Sequence, residues 1–172
     1  MATREFDARS HVEEFPAVWQ RVVTDPIGFF ATMPETGGLG APTVFLAICA
    51  GINAIGHLLF FAGLSGMLGI FLWQVLAAFA MATLFVLIAQ NLFGGRAGFE
   101  PTFRVVAYSW APLVLGWIPL VGRLALVYTA FLVIRGLERI QTLEPVRAVL
   151  TVLLAMGALW VLGIIGVGRA WL

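Results

Sequence analysis

Five apolar runs follow one another between Thr43 and Gly168, and nothing else in the chain constrains its fold as strongly. A backbone in hydrocarbon must satisfy its own polar groups, so each run of about 20 residues reads as a membrane helix. Spans are expected at residues 43–63, 68–93, 103–119, 120–137 and 146–168. This describes an all-α integral membrane protein, a bundle of five transmembrane helices, with residues 1–42 as a cytoplasmic N-terminal segment and 43–172 as the membrane domain. The composition agrees, since only 11% of the residues are charged, against about 25% in soluble domains. No length remains for a soluble catalytic domain, and a net charge of +1 gives no footing for a nucleic-acid partner.

The third run is unlike the others. Phe103 to Gly122, FRVVAYSWAPLVLGWIPLVG, carries Arg104, Tyr108 and Ser109 at one end and Pro112 and Pro119 further on. Proline lacks the backbone donor and clashes with the preceding turn, so a helix kink is expected at each proline, with the freed carbonyls satisfied by neighbouring helices. Such a break belongs inside a bundle, away from lipid. The fourth run follows with almost no loop, which makes the two antiparallel neighbours.

Ahead of the first span, Phe15, Trp19 and Val22 or Val23 recur at helical spacing, with Pro16 suited to a first helical position. Asp25-Pro26 restarts the helix, because Asp caps and Pro begins one, and Ile27, Phe29, Phe30 and Met33 supply a second apolar face. Trp19, Phe29 and Phe30 are the candidate contacts with a partner or with the membrane surface. Two placements fit: helices lying in the headgroup region, or helices packed on the bundle's own cytoplasmic end. No cleaved signal peptide is expected, because the first 30 residues mix both charge signs without a continuous apolar core. Arginine placement predicts an N-in, C-out orientation. Arg4, Arg9, Arg21, Arg96, Arg104, Arg135, Arg139 and Arg147 then lie inside, and Arg123 and Arg169 outside.

Chemistry-bearing motifs are few. Asn53 lies near the middle of the first span with His57 one turn later, and with Gln74, Tyr108, Ser109 and Tyr128 they form the candidate intramembrane polar cluster. The spans hold no carboxylate to relay a proton from His57, so the cluster is expected to join helices. One cysteine, Cys49, and two histidines cannot make a metal site of known spacing, so no metal, cofactor or enzymatic activity is expected. Ser109 reads as a hydroxyl near the break rather than as a nucleophile. Arg104, Arg135, Glu138 and Arg139 form a candidate ionic cluster on the cytoplasmic face, able to meet lipid phosphates.

The whole pattern, an Asp-Pro-aromatic segment, five spans, AYSWAPLVLGWIPLVG and then IRGLERIQTLEPVRAVL, resembles the Yip domain family and particularly its prokaryotic branch. These small multi-span proteins are named for interaction with Ypt/Rab GTPases. The resemblance implies a scaffold or adaptor in membrane organisation or trafficking, associated with the bilayer and with other membrane proteins, and leaves homo-oligomerisation open. A bacterial cytoplasmic membrane is the location it implies. Eukaryotic members contribute a long cytosolic region to partner binding. The segment before the first span here is only as long as two short helices, which argues against Rab-type GTPase binding. A small-solute permease or lipid-translocating protein lined by the polar cluster is the alternative from another functional class.

Overall fold

The computed structural model describes residues 14–60 and 63–161, and every regular element in them is helical. Two short helices come first, α1 (Phe15–Thr24) and α2 (Pro26–Thr32), as the spacing predicts. Asp25 separates them, its Oδ1 accepting from the Gly28 amide at 3.0 Å, so one residue ends α1 and caps α2. Then come α3 (Gly40–Phe60), α4 (Leu64–Phe93), α5 (Phe99–Ser109), a 3₁₀ turn (Ala111–Leu115), α6 (Pro119–Ile140) and α7 (Pro145–Val161).

Three helices, α3, α4 and α6, are long and apolar enough to cross a membrane, and α7 is a shorter apolar helix at the edge of the described residues. The rest of the run expected to 168 lies outside them. Several expected boundaries move. α4 begins at Leu64, four residues before the expected start of the second span. Its other end closes at Gly94, whose φ of 71° lets the chain turn back so that the Gly95 amide reaches the Ala89 carbonyl at 2.8 Å. α5 begins at Phe99, four residues before the expected third span, and α6 runs to Ile140, three residues past the expected end of the fourth.

α3 and α4 form one hairpin, α5 packs against α3, α4 and α6, and α7 closes on α4 and α6. Ala78, Ala82, Phe85 and Ala89 make the buried stripe of α4, where small side chains admit close approach of neighbours. The centre of the bundle is α5. Every residue from Thr102 to Pro112 is buried, Arg104 included. A helix walled on all sides faces no lipid, and so it can carry a break, a charge and hydroxyls that a lipid-facing helix could not.

Candidate functional site

The break after α5 is the most elaborately supported part of the molecule. The α-helix stops at Ser109, one turn before the proline, and the chain tightens into the 3₁₀ turn with Pro112 in its opening positions. There the missing amide costs no hydrogen bond. Pro112 therefore marks the end of a helix, not a kink within a continuous one. Pro119 is likewise not a kink: it is the first residue of α6. Both prolines punctuate a helix–turn–helix.

Two neighbouring elements meet the exposed carbonyls of this turn. Trp19 Nε1 on α1 donates to the Ala111 carbonyl at 2.8 Å. Asn53 Nδ2 on α3 donates to the Leu113 carbonyl at 2.5 Å, and Gln74 Nε2 on α4 donates to Asn53 Oδ1 at 3.1 Å. Two elements distant in sequence thus converge on five residues of irregular backbone, and α4 braces one of them. Glycines allow the approach: a Cβ on Gly122 would run into the backbone of Gly116, and one on Gly56 into the Trp117 ring.

The N-terminal helices pack into the bundle. Val22, Phe29, Phe30 and Met33 belong to the buried core, and Trp19 is half-buried. Phe29 meets the Tyr108 ring edge-on with centroids 5.0 Å apart, and Phe15 and Tyr108 both lie against Phe45. Tyr128 Oη on α6 donates to the Val23 carbonyl at 2.7 Å. This corrects one expectation: Phe29 and Phe30 are core residues of the chain itself, and Trp19 is held by the break, so none of the three forms a free docking face. The apolar stripe packs on the bundle except at Ile27, which is exposed.

The candidate polar cluster is accordingly not one group. Asn53 and Gln74 are joined at the break, and Tyr128 serves the N-terminal helices. His57 is buried one turn above Asn53. Tyr108 and Ser109 are buried on α5, and neither hydroxyl has a hydrogen-bond partner among the described residues. The ionic cluster also divides. Arg104 is fully buried, its guanidinium donating to the Gly38 carbonyl at 2.8 Å and lying 3.6 Å from Glu100 Oε1. Glu100 in turn accepts from the Gly38 amide at 2.6 Å. Gly38 has a φ of 84°, a conformation natural to glycine, and so presents both backbone groups to α5. Arg135 instead pairs with Glu138 at 2.9 Å, and Arg139 with Glu35 at 3.4 Å.

Sequence reasoning passed over Gln141. It is fully buried at the end of α6, accepts from the Ala97 amide at 3.0 Å, and donates to the Ala97 carbonyl and to Thr102 Oγ1, each at 3.0 Å. One amide side chain so stitches the α4–α5 connection to the end of α6. Its only sequence cue is a neutral polar residue amid charged ones.

A family model described as Yip1 domain matches residues 21–168. No curated protein and no solved structure matches the chain.

Proposed function

Because the chain belongs to the Yip1 domain family and is thus a multi-span membrane protein, we propose that it acts as a non-enzymatic scaffold or adaptor in membrane organisation. It would cross the membrane five times, N-in and C-out, in a bacterial cytoplasmic membrane. The observation that carries this reading is where the interior polar groups go. Trp19, Asn53, Gln74 and Tyr128 donate to backbone carbonyls or to one another across helices, which makes them structural ties. A solute path needs polar groups left facing a hydrated route. A scaffold needs a rigid bundle and outward surfaces.

Reconstitution tests the choice. Wild-type proteoliposomes are expected to retain entrapped solutes and lipid asymmetry. Asn53→Leu with Gln74→Leu is expected to lower stability in detergent by about 1–2 kcal/mol without altering permeability. Solute or lipid movement in the wild type that vanishes in the double variant would replace the scaffold by the permease. Partners of the intact protein would be sought by crosslinking in native membranes.

The topology has its own test. With buried Cys49 replaced, single cysteines at the exposed positions Ser65, Arg96 and Thr142 report sidedness. Ser65 is expected to label from outside and the other two from inside. Labelling of all three from one side would refute the five-span arrangement.

A further inference from the structure

A cleft of about 270 Å³ opens between α2 and the end of α6. Ile27, Phe30 and Ala31 form one wall, and Arg135, Glu138 and Arg139 the other. We propose that it seats the headgroup of an aminophospholipid, with the phosphate between Arg135 and Arg139 and the ammonium against Glu138. The proposal rests on α6 crossing the bilayer and is independent of the scaffold role.

The outer face of α6 argues for a lipid as the occupant. Leu120, Leu124, Val127 and Phe131, spaced four, three and four apart, are exposed, and the next residue on that face is Arg135. Leu120 to Phe131 offers roughly 16 Å of helix for an acyl chain to lie against. An acyl chain lying on this stripe would bring its phosphate to the cleft. The same face also pulls headgroups inward. Exposed Arg123 and half-buried Arg135 lie only about 18 Å apart along the axis, against a hydrocarbon core of roughly 30 Å. The bilayer must thin there, or the arginines must reach outward. α4, by contrast, is free of charge through all its 30 residues.

The signs of charge in the cleft argue for the class of headgroup. Arg135 is preorganised, with its guanidinium 5.4 Å from the Phe131 ring centroid and 2.9 Å from Glu138. Arg139 and Glu35 are each about half exposed and 3.4 Å apart, a weak pair that a phosphate can displace by offering a guanidinium two oxygens at once. Glu138 lines the same cleft. A purely anionic headgroup would meet it as like charge, whereas a headgroup carrying its own ammonium turns it into a partner.

Native mass spectrometry of the full chain in detergent tests this, titrated with phosphatidylethanolamine, phosphatidylglycerol, glycerophosphoethanolamine and inorganic phosphate. Phosphatidylethanolamine is expected to bind about tenfold more tightly than phosphatidylglycerol, and the two water-soluble probes more weakly than either. Arg135→Gln with Arg139→Gln should abolish the preference. Glu138→Gln, which retains both arginines, should reverse it toward phosphatidylglycerol. Equal binding of the two lipids by the wild type would overturn the proposal. So would an unchanged preference in either variant. Soluble probes that bind as tightly as the lipids would make this a free-phosphate site and would overturn it equally.

Discussion

Gly122→Val is expected to destabilise the protein by about 3 kcal/mol or more, at the upper end of what overpacking costs. Gly122 sits in the first turn of α6, and a Cβ built there collides with the carbonyl, carbonyl carbon and Cα of Gly116. A flexible side chain could move aside, but these atoms are backbone. They belong to a turn held on one side by the bond from Asn53 to Leu113 and on the other by the start of α6 at Pro119. Pushing Gly116 away would stretch the tie to Asn53, whose amide also lies close to Gly116. Gly69→Ala in α4 is the control, since nothing among the described residues lies within 4 Å of a Cβ there. Removing glycine from an open helix position is expected to stabilise by up to about 1 kcal/mol. Thermal unfolding in detergent of both variants checks the pair, and similar shifts for the two would show that the turn is not packed as described.

The contrast between these glycines shows how far the sequence could be read. Apolar run length located the main helices, and capping chemistry located α1 and α2, because both signals lie within a few residues of one another. Asp25 illustrates this: it ends one helix and starts the next through an amide three residues away. What could not be read was any feature whose cause lies far along the chain. Arg104 has the sequence character of a flanking arginine, and it is buried because the Gly38 backbone, 66 residues earlier, comes across to meet it. Gln141 has no local periodicity to distinguish it, since its partners are Ala97 and Thr102. Pro112 and Pro119 predicted an interruption correctly. Whether a proline kinks a helix or punctuates two helices depends on the turn between them, and the supports of that turn come from α1 and α3.

The stripe of α1 and α2 posed the hardest choice, because an apolar face looks the same whether it meets lipid or a bundle. The structure answers with burial, and Phe30→Ala turns that answer into a number. Phe30 is 2% exposed beside Phe29, whose ring meets Tyr108 on the central helix. Truncation there leaves a cavity among side chains that cannot all collapse inward, and a loss of about 3–5 kcal/mol is expected. Ile27, three residues earlier on the same helix, is 64% exposed, and Ile27→Ala is expected to stay within about 0.5 kcal/mol. If α1 and α2 were a surface arm, both variants would unfold like the wild type and would differ only in membrane association. Unfolding in detergent removes that second effect and isolates the first. A loss below about 1 kcal/mol for Phe30→Ala, or equal losses for the two substitutions, would return the helices to the membrane surface. The expected difference instead makes them part of the bundle's core, so a partner of the proposed scaffold would have to be met by other surfaces.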